Sequence, residues 1–153
     1  MPLYNPAKIL RDTIADRKNN GPISDEELLA GALSAYESYR EKLLDDLLLS
    51  NSLVRSTVYM SAGVLITFGY IDVAEDIFQI YPYMIHPLQA IMSRIPEIIP
   101  IPAELKYMRN RSEISEILKW VKNNKAFLQW DEQNGRYFLK KDNFSESDEK
   151  KST

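Results

Sequence analysis

Residues 101 to 141 read IPAELKYMRNRSEISEILKWVKNNKAFLQWDEQNGRYFLKK, and the order of signals in this stretch decides the fold expected of the chain. Pro102 suits the first turn of a helix, where its missing amide costs nothing. Ala103 to Met108 follows as a short helix, and Arg109-Asn110-Arg111 makes a turn. Ser112 is placed to cap the next helix, with Ser115 or Glu116 three or four residues on. Ile114, Ile117, Leu118 and Val121 form one apolar stripe on a helix from Glu113 to about Asn124. Two strand-like runs come next, Ala126 to Trp130 and Arg136 to Lys140. Asp131 to Gly135 joins them, and Asn134-Gly135 is a strong hairpin signal because both residues accept the left-handed backbone of a tight turn.

The sequence from Pro87 to Lys141, about a third of the chain, resembles the winged helix-turn-helix superfamily. The matching features are the PAEL opening of a second helix, the Ile114/Ile117-Leu118/Val121 stripe, and NGRYFL as a second wing strand after Leu128-Gln129-Trp130-Asp131. The resemblance implies a third helix that enters the major groove of DNA and a wing that flanks the neighbouring backbone. On that basis residues 83–141 are expected to form a winged-helix-like module.

Upstream, the chain reads as mainly α, a bundle-like helical domain over residues 1–82. Pro6 to Lys18 carries Ile9, Leu10 and Ile14 on one side, and Asn19-Asn20-Gly21-Pro22 stops it. Ser24-Asp25-Glu26-Glu27 fits a capping box, in which serine and glutamate satisfy each other's free amides. The helix it opens is expected to run to about Leu49, and Ser50-Asn51-Ser52 to break it. Leu53 to Tyr70 is apolar nearly all round, the mark of a central helix. Shorter helices are expected over Asp72–Tyr81 and Met84–Ile95, divided by Pro82 and again at Pro87. Three prolines in Pro96-Glu97-Ile98-Ile99-Pro100-Ile101-Pro102 favour an extended connection. Ile98, Ile99 and Ile101 point to a connection tucked into a core rather than a free linker.

Two uncharged runs, Ser56 to Ile71 and Ile77 to Ser93, span 16 and 17 residues, short of the roughly 20 needed to cross a bilayer. Serine, threonine and glycine in the first, and Pro82, His86 and Pro87 in the second, favour buried helices instead. No membrane association is expected. The N-terminal stretch lacks a signal-peptide core, and the chain has no cysteine, so a cytoplasmic location is expected. The tail, residues 142–153, is polar and unpatterned, and is expected to be disordered and dispensable for folding.

Catalytic inventories come out empty. His86 is the only histidine and reads as a packing residue. Without cysteines it cannot build a usual zinc site, and no glycine-rich phosphate loop or nucleophile elbow is present. The acidic groups Asp72/Glu75/Asp76, Asp25-Glu26-Glu27 and Asp45-Asp46 read as helix caps or solvated faces. No cofactor and no enzymatic activity are expected.

Charge is distributed unevenly. The whole chain carries -3, yet residues 101–141 hold nine basic and five acidic side chains, against eight and thirteen in residues 1–100. The positive field thus falls on the resembling module, where phosphate binding would need it. Arg109 and Arg111 in the turn, Lys119 and Lys122 off the apolar stripe, and Arg136 and Lys140 in the wing are the candidate DNA contacts. Glu113 and Glu116 in the reading helix, and Asp131 and Glu132 at the wing tip, oppose phosphate but suit a helix N-terminus or a protein partner. Trp120 and Trp130 are candidates for partner binding or for packing the wing onto the helices. The function expected is a small DNA-associated winged-helix protein, a transcription regulator that dimerises through its helical region. The alternatives are an interaction subunit whose winged helix docks on another protein, and a helical scaffold whose terminal hairpin is only a clasp.

Overall fold

A computed structural model of the chain describes residues 4–18, 23–43, 52–84, 86–105 and 111–140. Over these residues the protein is mainly helical, with one antiparallel hairpin near its C-terminal end. The first helix, α1, covers Pro6–Lys18, as the sequence predicts. Asn5 caps it: its side-chain oxygen accepts from the Lys8 N–H at 2.9 Å, satisfying one of the amides a helix start leaves open. Helix α2 covers Asp25–Leu43 and opens on the expected capping box. The Glu27 N–H donates to Ser24 Oγ at 3.1 Å, and the Ser24 N–H reaches Glu27 Oε1 at 3.4 Å. The expected continuation of α2 to Leu49 and the break at residues 50 and 51 lie outside the described residues.

Helix α3, Ser52–Ile66, is the centre of the molecule. Every residue from Val58 to Ile66 is buried, as its lack of charge predicts. It stops four residues short of the expected Tyr70. Gly69 takes φ +99°, the left-handed conformation that ends helices, and the Tyr70 N–H returns to the Leu65 carbonyl at 3.1 Å. A single glycine inside an apolar run hides this stop from periodicity.

A 3-10 turn at Ile71–Val73 leads into α4, Ala74–Ile80, and a second at Tyr81–Tyr83 follows it. The expected division of Met84–Ile95 at Pro87 falls elsewhere: α5, His86–Ile91, holds Pro87 in its first turn, and a 3-10 turn separates it from α6, Ile95–Ile98. Pro96 therefore sits in the first turn of α6 rather than in an extended connection, a place where its ring and missing amide are tolerated. Ile98, Ile99 and Ile101 are buried as expected, all at or below 2% exposure. The expected helix from Ala103 is a 3-10 turn over Ala103–Leu105, and residues 106–110 lie outside the description. Helix α7 covers Arg111–Asn124, so Ser112 stands inside its first turn rather than at the cap.

The hairpin pairs β1, Leu128–Asp131, with β2, Arg136–Leu139. The register is Leu128↔Leu139, Gln129↔Phe138, Trp130↔Tyr137 and Asp131↔Arg136. A 3-10 turn over Lys125–Phe127 shortens the first strand from its expected start at Ala126. One apolar cluster runs from Ala7 in α1 through α3 and α4 to Val121 in α7 and Tyr137 in β2. Residues on both sides of position 82 contribute to this cluster. No helix among the described residues is long and apolar enough to cross a membrane.

Candidate nucleic-acid interface

Helix α7 is sharply two-sided. Ile114, Ile117 and Val121 are buried, while Ser112, Ser115, Glu116, Lys119, Lys122 and Asn123 are exposed. The buried stripe holds α7 against α4. Lys125, just past the helix end, strengthens that junction by reaching Glu75 at 2.7 Å and Asp72 at 3.3 Å. Its hydrogen bond to Glu75 raises the lysine's pKa above the ordinary value. Lys125 is therefore engaged within the chain, and Lys119 and Lys122 are the outward-facing cations of the helix. Lys119 lies 3.5 Å from Glu116, a solvent-exposed pair of little energetic weight.

The remaining candidates are dispersed. Arg109 lies outside the described residues, and Arg111 begins α7. Arg136 and Lys140 are exposed on the second strand and just beyond it. Trp120 and Trp130 are half-buried against the core. The Trp130 ring meets Tyr137 at 4.8 Å between centroids, and a Cβ on Gly69 would lie 3.0 Å from its indole.

The hairpin is seated on the helices by its second strand and its tip. Tyr137 is buried, and its hydroxyl donates to the Ile66 carbonyl at 2.9 Å, tying β2 to the end of α3. At the tip, Gly135 adopts φ +65°, and its carbonyl accepts from the Ala7 N–H at 3.2 Å. Asn5 packs so closely on Gly135 that any side chain there would overlap it. Within the turn, the Asn134 side chain and backbone N–H bind Asp131 at 2.7 and 3.2 Å and hold its carboxyl below the usual range.

Sequence reading missed one buried acid. Asp76, 4% exposed, accepts from the Tyr36 hydroxyl at 2.5 Å and so joins α4 to α2. The expectation of a solvated or capping role fails there, because its partner lies 40 residues away. Tyr59 is buried and Tyr81 packs against the core, whereas Tyr70 and Tyr83 are exposed.

Among the described residues no group of acids and histidine is arranged to hold a metal ion. Comparisons with protein-family models, with curated proteins and with solved structures return no match.

Proposed function

We propose that this chain is a small, non-enzymatic DNA-associated protein, a regulator of transcription whose α7 lies against duplex DNA. The observation that carries this reading is the exposed stripe of α7. Along it come Ser112, Ser115, Glu116, Lys119, Lys122 and Asn123, so two hydroxyls and an amide flank two lysines and one acid. Hydroxyl and amide side chains contact phosphates and base edges without steric bulk, and the lysines supply attraction to the backbone. In this reading α7 is the recognition helix of a winged helix-turn-helix and β1–β2 is its wing. Arg111 at the start of α7 and Arg136 and Lys140 on the hairpin add phosphate contacts. Winged regulators commonly read two half-sites, so the reading includes a homodimer. Its surface must lie away from α3, which is already buried in its own chain.

A second reading, a protein-docking module, is favoured by the hairpin tip. The tip rests on Asn5 and Ala7 rather than standing clear to flank a duplex. The two readings separate on one variant. Lys119→Glu combined with Lys122→Glu should weaken duplex binding by about tenfold or more, since two phosphate contacts become repulsive. Gel shifts with random duplex DNA that are unchanged by this double variant would contradict the DNA reading and leave the docking one.

A further inference from the structure

The outward face of the hairpin carries an ordered pattern that the α7 reading does not use. Residues opposite each other in an antiparallel pair share a face. Gln129↔Phe138 and Asp131↔Arg136 therefore lie on the face opposite the buried Leu128, Tyr137 and half-buried Trp130. The Lys140 N–H donates to the Phe127 carbonyl at 2.7 Å, which extends the ladder by one rung and sets Phe127 opposite Lys140. Three rungs result: Phe127 with Lys140, Gln129 with Phe138, and Asp131 with Arg136. Phe138 is 44% exposed and Phe127 38%. Phe138 has Arg136 and Lys140 two residues away on either side along its own strand, and Phe127, the last residue of the 3-10 turn, is tied by its backbone to Lys140.

We propose that this face binds single-stranded nucleic acid, with unpaired bases stacked on Phe138 and Phe127 and phosphates held by Arg136 and Lys140. Aromatic rings on a sheet face stack bases of any identity, and flanking cations track the backbone. Gln129, level with Phe138, supplies an amide able to donate to and accept from a base edge. Asp131 is the one acid on the three rungs. It stands at the tip end, and its oxygens are engaged by Asn134. Two cations against this one acid make the face complementary to a polyanion, while the phenylalanines select bases over bare phosphate. The site goes beyond the α7 reading: it shares Arg136 and Lys140 with it, but is decided by Phe138, Phe127 and Gln129, which that reading leaves unused.

Fluorescence polarisation of labelled oligothymidylate, an abasic oligomer of equal length and a random duplex tests it. The oligothymidylate should bind more tightly than the abasic strand. Phe138→Ala should weaken that binding about tenfold, Phe138→Trp should restore it, and Lys140→Glu should weaken it and flatten its salt dependence. The Phe138 ring is exposed, so an unchanged thermal melt shows that the fold is retained. Absence of oligothymidylate binding, equal affinity for the abasic strand, or indifference to Phe138→Ala would overturn the proposal. Duplex binding without oligothymidylate binding would overturn it while leaving the α7 reading intact. Phe138-dependent binding to phosphatidylserine vesicles alone would overturn it as well.

Discussion

Arg11 shows how much a single side chain organises. Only 12% of it is exposed. Its guanidinium donates to the Thr67 carbonyl at 2.7 Å and to Thr67 Oγ1 at 3.3 Å, and lies 4.0 Å above the Phe68 ring. It thereby satisfies the frayed end of α3 from α1, and it reaches α2 through Asp25 at 2.9 Å. Asp25 is mostly exposed, so the Thr67 and Phe68 contacts dominate. Arg11→Ala should cost about 2–3 kcal/mol in chemical denaturation, from charged hydrogen bonds and cation–π contact. Arg11→Lys should recover less than half of that, because an ammonium cannot replace the planar fork. Two tyrosines give opposite expectations. The Tyr59 hydroxyl is buried with no hydrogen-bond partner among the described residues, so Tyr59→Phe should be neutral or stabilising by up to about 1 kcal/mol. Tyr137→Phe should cost about 1 kcal/mol, since it removes the bond to Ile66. Reversed signs in urea midpoints would contradict the roles given to both.

At the scale of elements, the hairpin behaves as part of the core. Its inward residues Leu128 and Tyr137 are buried, its second strand is bonded to α3 through Tyr137, and its tip is bonded to α1. Gly135→Ala should therefore destabilise the whole protein by more than the 1 kcal/mol or so of a strained turn alone, because the added methyl strikes Asn5. A variant that melts like the parent would show that the tip does not sit on α1. How much of this was legible beforehand follows from the range of each interaction. α1, the capping box, the start of α3, the stripe of α7 and the Asn134-Gly135 turn are local patterns within a few residues, and each appears where periodicity and turn chemistry put it. The early end of α3 turns on Gly69, within an apolar run that still reads as helix, and the buried Asp76 depends on a tyrosine 40 residues away, which periodicity does not display. The candidate site divides in the same way. The two-sided nature of α7 was readable from spacing, and so was the exposure of Lys119 and Lys122. The engagement of Lys125 by Glu75 and Asp72, and the seating of the wing tip on Asn5, were not.

For the whole molecule, one continuous core and an uneven charge distribution set the expected behaviour. The buried hydroxyls of Tyr59 and Tyr137 have pKa values raised above 10.0 by desolvation, and Lys125 is raised above 10.5 by its bond to Glu75. Above these ordinary values the unfolded chain releases protons that the folded chain keeps. Stability is therefore complete below about pH 10 and falls as pH rises beyond it. Urea midpoints should be level from pH 7 to about 9 and decline steeply by about pH 11, with Tyr137→Phe reducing the slope. A flat profile across that interval would contradict the burial of these groups. The net charge of -3 makes the protein as a whole a poor polyanion binder, so any affinity for DNA must come from the local field of α7 and the hairpin. Polarisation titration of random duplex DNA at two salt concentrations tests that claim most directly. Binding should weaken with salt, with a log–log slope of roughly -3 for the few cations available, reduced by about 1 for each of Lys119 and Lys122 replaced. Binding that is absent at low salt, or that keeps the same slope in those variants, would contradict it.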